Sequence, residues 1–182
     1  MMFARTKRLT LRPGWPEDAA ALARAIGHES VVTKISHAPW PYTAADARDF
    51  LTRPATARDV AMLITVLEDG MPRIIGCIGI HPAGDAHELG YWLTPDAWGH
   101  GYATEAGRQA VQIARHALGL KRLSAGYYVD NPASGRVLAK LGFVPTGRTE
   151  QQYCRARGHD VPCVKLELNL EDRPACEELM AA

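Results

Sequence analysis

HELGYWLTPDAWGHGYATEAGR, residues His87 to Arg108, is the stretch that decides how this chain is read. It divides into a short strand, a turn at Pro95, a glycine-bearing loop and the start of a long helix. Gly99 and Gly101 stand just ahead of the helix that Ala103 and Thr104 open. A residue without Cβ tolerates unusual backbone angles and lets another group approach the main chain closely. The first amides of a helix lack partners within it, and the aligned peptide dipoles make that end partly positive. Such a loop is a seat for phosphate groups. Taken alone, the two glycines are equally well read as a tight connection. The strand before, the helix after and a second segment further on favour the phosphate reading.

Working outward, the elements on the N-terminal side begin with Arg8–Arg12, RLTLR, whose alternation suits a strand. Pro16 with Glu17 and Asp18 starts a helix whose stripe is Leu22, Ala25 and Ile26. Glu29–Pro41 is irregular. Thr43 caps the next helix, with Asp46 completing a weak capping box. Val60–Leu67 and Arg73–Ile80 are apolar strands around an Asp69-Gly70 turn, and His87–Thr94 extends them into an antiparallel meander.

On the C-terminal side, Ala106, Ala110, Ile113, Ala114 and Ala117 line a helix that Gly119 ends. Arg122–Val129 is a strand. Asn131-Pro132 then caps and opens a shorter helix carrying Val137, Leu138 and Leu141, and Gly142 stops it. Phe143–Thr149 and Val161–Leu170 close the order as strands. The tail from Glu171 frays or docks as a short helix. Pattern alone predicts a mixed α+β domain.

Composition bounds the function. The 182 residues are 47% hydrophobic and 23% charged, with a net charge of +1, and fit one domain over 1–182. That balance argues against general nucleic-acid binding. No apolar run approaches the ~20 residues of a membrane span, and the N-terminus lacks a secretion signal, so a cytoplasmic protein is expected. Cys77, Cys154, Cys163 and Cys176 have no zinc or redox spacing and are read as free thiols. The histidines form no HExxH pattern, and no metal is expected.

Asp96–Gly101, continuing as Tyr102-Ala103-Thr104-Glu105-Ala106, resembles the acetyl-CoA-binding signature of the GNAT N-acetyltransferases. The wording YWL…WGHGYATEA is most similar to the branch with the ribosomal-protein alanine acetyltransferases. Asp96 departs from the family's Gln or Arg at the first position. The resemblance extends roughly from Arg5 to Leu170. It implies the GNAT fold, an α/β (α+β) arrangement with one mixed, mostly antiparallel sheet of about seven strands and flanking helices. It also implies acetyl-CoA as cosubstrate, an amine acceptor (a protein N-terminus or a small molecule), and a monomer or homodimer.

The resemblance further implies site residues. Main-chain groups of Trp92 and Thr94 would bind the pantetheine arm, and a backbone amide near Leu93 would face the oxyanion. The amides of Gly99, His100, Gly101, Tyr102, Ala103 and Thr104 would meet the pyrophosphate. In VDNPASGRVLAKLGF, Val129–Phe143, Asn131 would bond pantetheine and Ser134 would lie near the thioester sulfur. Asn131 is equally a helix cap. The Tyr that serves many GNAT enzymes as acid corresponds to Leu138 here. Glu88 shares a face with Gly90 and Trp92 and is the expected base, its alternative being a solvated strand carboxylate. Glu105 is accounted for by the helix dipole. Glu29–Pro41 and the Gln151–Pro162 connection are expected to wall the acceptor. The competing class is a non-catalytic acyl-CoA-binding regulatory module.

Overall fold

A computed structural model describes residues 2–54, 58–84 and 86–171. The central meander forms as its apolar runs and turn predict. β3 (Val60–Glu68), β4 (Met71–Ala83) and β5 (Ala86–Leu93) pair antiparallel in chain order. Beyond β3 lie β2 (Leu9–Arg12) and β1 (Ala4–Arg5). On the other side β5 meets β6 (Arg122–Tyr128) in parallel, and β6 is followed by β8 (His159–Asn169) and β7 (Val144–Cys154). Among the described residues the sheet thus has eight strands in the order β1-β2-β3-β4-β5-β6-β8-β7. The strand beyond the expected seven is β1, whose two residues are too few to leave a sequence pattern.

Helices cover both faces. α4 (Tyr102–Gln112), extended by a π turn over Ile113–Ala117, and α5 (Pro132–Lys140) cover one of them. Ala106, Ala110 and Ala114 are fully buried there against Ile64, Ile78 and Ile80. Small side chains let the helix sit close, and each buried Ile stabilises by roughly 1.5–3 kcal/mol. On the opposite face α1 (Ala19–Ile26) and α3 (Ala44–Thr52) pack on Leu63, Ile74 and Cys77. The α3 cap forms as read: Thr43 Oγ1 accepts from the Asp46 amide at 3.3 Å, and Asp46 Oδ2 accepts from the Thr43 amide at 2.9 Å.

Two segments differ from the sequence reading. Glu29–Pro41 contains a short helix, α2 (Glu29–Val32), which buries Val31 and Val32. Gln151–Pro162 is no open connection: β7 runs to Cys154 and β8 starts at His159, leaving a tight turn. The tail from 172, including Cys176, lies outside the described residues, while Cys77, Cys154 and Cys163 are buried free thiols.

β4 runs close against β5 at Gly76, next to a register shift against β3 at Ile64/Thr65. A Cβ there would lie 2.2 Å from the Trp92 carbonyl oxygen and 3.2 Å from Leu93 Cα. Backbone cannot swing aside as a side-chain tip can. Gly76→Ala is therefore expected to cost about 3 kcal/mol, at the upper end for overpacking. Denaturant unfolding checks this, and a midpoint equal to the parent's would contradict the register given for β4 and β5.

Candidate active site

Among the described residues, β5 and β6 pair in register only at Glu88 and Ser124, where Ser124 Oγ donates to the His87 carbonyl at 3.2 Å. Past that point the strands part. Leu89–Leu93 keep β4 on one side, and Ala125–Tyr128 keep β8 on theirs. The gap opens into a cleft of about 1090 Å³ that runs from the glycine loop to α2 and the α3 end. Main-chain groups alternate along an antiparallel strand. The Thr94 amide donates to the Ile75 carbonyl at 2.9 Å, so Trp92, two residues back, also directs its groups at β4. Tyr91 and Leu93 therefore direct theirs into the gap. The Leu93 carbonyl is already taken by Trp98 Nε1 at 2.8 Å, which leaves its amide for a ligand.

The glycine loop borders one end of the cleft. Gly99 and Gly101 both have φ +79°, and Gly101 is the residue that precedes α4. The first helical bond runs from the Glu105 amide to the Gly101 carbonyl at 3.0 Å, so the amides of Tyr102, Ala103 and Thr104 are those left without a turn above them. Asp96 is held away in an ion pair with Arg73 at 2.7 Å. A cation arrives from the β1–β2 turn instead. Arg8 donates through Nη1 to the His100 carbonyl at 3.0 Å, lies over the Tyr102 ring, and pairs with Glu105 at 2.7 Å. Glu105 also accepts from Thr6 Oγ1 at 2.6 Å and the Arg8 amide at 2.9 Å. Partial burial opposes its ionisation, but these hydrogen bonds outweigh burial and hold its pKa below the usual value. Glu105 thus ties the β1–β2 turn to the loop, a larger role than the dipole alone implied.

α5 forms the opposite wall. Asn131 Oδ1 accepts from the Ser134 amide at 3.4 Å, the cap read from sequence, with Pro132 opening the helix. Ser134 Oγ lies 2.8 Å from the Tyr91 hydroxyl, which also donates to the Ser134 carbonyl at 3.2 Å. Burial pushes the Tyr91 phenol up to about 12, against the pull of its Ser134 hydrogen bond. Tyr91 therefore stays protonated and serves as a donor. Leu138 is buried at 1% exposure, away from the cleft.

At the far end Glu88 faces the cleft beside its cross-strand partner His81. α2 and the β7–β8 turn close over this end. Arg157 Nε donates to the Thr33 carbonyl at 2.7 Å, the Arg155 amide to the Ser36 carbonyl at 2.9 Å, and Asp130 pairs with both Lys34 and Arg157 at 2.8 Å.

A strand followed by a phosphate-type loop leading into a helix is the arrangement that the sequence resemblance implied. Residues 8–144 match the family described as "Acetyltransferase (GNAT) domain". The chain belongs to the GNAT acetyltransferases. Relatives that it matches are named N-acetyltransferases. Among relatives, "Uncharacterized N-acetyltransferase YoaA" of Bacillus subtilis (strain 168) is 40% identical over 81 residues, covering 43% of this chain and 46% of that protein. The match therefore spans under half the length of that relative. "Uncharacterized N-acetyltransferase p20" of Bacillus licheniformis is 27% identical over 158 residues, 84% of this chain and 88% of that one. The fold matches the ribosomal-protein-S5-alanine acetyltransferase of Vibrio fischeri with a TM-score of 0.79 at 19% identity, covering 96% and 100% of the two chains. No helix among the described residues is long and apolar enough to cross a membrane.

For a GNAT protein, most residues singled out in the sequence fall on one cleft. Glu88, Trp92, Leu93, Gly99, Gly101, Tyr102, Ala103, Thr104, Asn131 and Ser134 line it. Thr94 and His100 do not. Both main-chain groups of Thr94 are used, the amide by Ile75 and the carbonyl by the Ala97 amide at 3.0 Å. The expectation for its backbone, and for that of Trp92, therefore passes to Tyr91 and Leu93. His100 turns outward, its carbonyl on Arg8 and its ring 5.7 Å from that of Tyr102. Tyr91, Arg8 and His81 were not read as site residues. Tyr91 lies within β5, and the alternation that turns it to the other face from Glu88 could have found it.

Proposed function

We propose that this protein transfers the acetyl group of acetyl-CoA to a primary amine by direct attack in a ternary complex, within the gap between β5 and β6. The observation that carries this reading is the half-paired β5, whose Tyr91 main-chain groups and Leu93 amide stand open beside the loop that ends in three helix amides unpaired among the described residues. An extended pantetheine arm would pair with such a strand as an added strand does. The pyrophosphate would lie on the amides from Gly99 to Thr104, with Arg8 as the nearest cation. Asn131 would reach the arm from the α5 side.

In the reaction the amine nitrogen attacks the thioester carbonyl, and the Leu93 amide donates to the developing oxyanion. Glu88 draws the ammonium into the gap and favours the loss of its proton. Ser134 donates to the departing thiolate, and Tyr91, whose one proton goes to the Ser134 carbonyl, holds Oγ in place for that task. A thiolate is already a fair leaving group, so Ser134→Ala is expected to lower turnover by ~10–100-fold. Tyr91→Phe should reproduce part of that loss without changing acetyl-CoA affinity. Steady-state rates beside calorimetry check both, and full activity in each variant would return the pair to packing.

A protein N-terminus is the favoured acceptor, since the Vibrio fischeri protein that shares this fold acts on a ribosomal protein. The cleft also suits a small amine. Free-thiol release from acetyl-CoA, with mass detection of acetylated product, tests the proposal across N-terminal Ala and Ser peptides, polyamines and aminoglycosides. Thiol release with an acetylated amine supports it. Binding of acetyl-CoA without release for any amine would favour a regulatory acyl-CoA-binding module.

A further inference from the structure

His81 has no part in the scheme so far, yet it is the best-placed proton acceptor at the acceptor end. On β4 it stands directly opposite Glu88, and the alternation of both strands turns the two side chains to the same face. Both line the cleft. Gly90, the next residue on that face of β5, leaves its side-chain space empty, and a Cβ there would lie 3.4 Å from His81 Cε1. The imidazole therefore borders the stretch where β5 has lost β6. Among the described residues, neither the His81 ring nor the Glu88 carboxylate is tied into a hydrogen bond or ion pair.

We propose that His81 receives the proton given up by the acceptor ammonium, with Glu88 as the carboxylate that guides the ammonium and stabilises the imidazolium. The inference rests on the acetyl-transfer reading of this cleft. A free carboxylate titrates near ~4.3 and an α-amine near ~7.7–8.0, so a carboxylate alone is a weak acceptor for that proton, and an imidazole lies closer. The ammonium passes one proton to the ring, directly or through Glu88. The freed lone pair forms the C–N bond while the C–S bond breaks. The second nitrogen proton balances the one taken up by the thiolate, and the imidazolium returns its proton to solvent.

The charges facing the ring set the expected pH behaviour. Burial lowers the His81 pKa below its ordinary 6.5; Glu88 and Asp59 raise it, while His37 and Arg53 lower it further. Asp59 is itself paired with Arg53 at 3.2 Å. Across the split, Cys163 lies near both Glu88 and Lys165, whose Nζ donates to Gln152 at 2.8 Å. His81 is thus neutral and able to accept a proton at pH 7, and loses that capacity only as the pH falls below its lowered pKa.

The test is kcat/KM against pH for the parent, His81→Gln, Glu88→Gln and the double variant, after acetyl-CoA binding has been verified for each. The parent should show an acid limb below pH ~6.5. His81→Gln should lose about 10²-fold and that limb together, leaving only the rise from ionisation of the amine. Glu88→Gln should keep the limb but move it to lower pH, because the carboxylate that raises the His81 pKa is gone. The double variant should be no slower than the worse single one, as residues acting as a unit behave. Imidazole added to His81→Ala should restore part of the rate. An unchanged profile in His81→Gln, or an acid limb that stays fixed in Glu88→Gln, would overturn the assignment even if one variant folds poorly. A parent that binds acetyl-CoA but releases no thiol with any amine would overturn the acetyl-transfer reading and this assignment together.

Discussion

Gly101→Val is expected to weaken acetyl-CoA binding by about 10²-fold or more. Gly101 sits at φ +79° immediately before α4. A β-branched residue in that left-handed region costs roughly 1–3 kcal/mol, which the loop relieves by turning. Turning re-aims the amides of Tyr102, Ala103 and Thr104, the donors assigned to the pyrophosphate. A hydrogen bond to a charged group is worth about 1.5–3 kcal/mol, so loss of one or two accounts for the expected fall. The valine Cβ would itself only touch Arg8, whose Nη2 lies 3.6 Å from its position, so the effect comes from the backbone. Calorimetry on a variant with a parent-like melting curve decides the matter. Unchanged affinity would remove the loop from the cofactor site.

Glu88→Gln is expected to lower turnover by about 10²-fold or more while leaving acetyl-CoA affinity intact. The substitution keeps the shape and removes the charge. The carboxylate makes no hydrogen bond or ion pair among the described residues, so little stability depends on it. What is lost is a group that draws the ammonium to the gap and favours its deprotonation, an effect of ~10²–10⁴-fold for positioned acid–base groups. Single-turnover rates with a peptide acceptor check this. A rate near the parent's would reduce Glu88 to the solvated strand carboxylate that its sequence position equally allowed.

Local signals carried most of what was legible. The turn at Asp69-Gly70, the Thr43 and Asn131 caps and the glycines ahead of α4 each act over a few residues, and all formed as read. What escaped depends on register and on long-range approach. Tyr91 meets Ser134 across 43 residues, and Arg8 reaches Glu105 across 97. His81 lies one residue past the apolar run Arg73–Ile80, and only pairing with β5 sets it against Glu88. The motif resemblance places Thr94 on the cofactor, but ladder alternation commits its backbone to β4. The parting of β5 from β6 after Glu88 leaves no mark on either strand's own sequence, because it is a property of the pair.

Amide hydrogen exchange with and without acetyl-CoA tests the central claim most directly, since it needs neither a known acceptor nor a variant. If the cofactor lies along the open side of β5 and on the start of α4, the amides of Tyr91 and Leu93 and those from Gly99 to Thr104 should slow on binding. Amides already bonded within the sheet, such as Thr94, should change least. Binding with protection confined to other parts of the protein, and none at Tyr91, Leu93 or the glycine loop, would contradict the account.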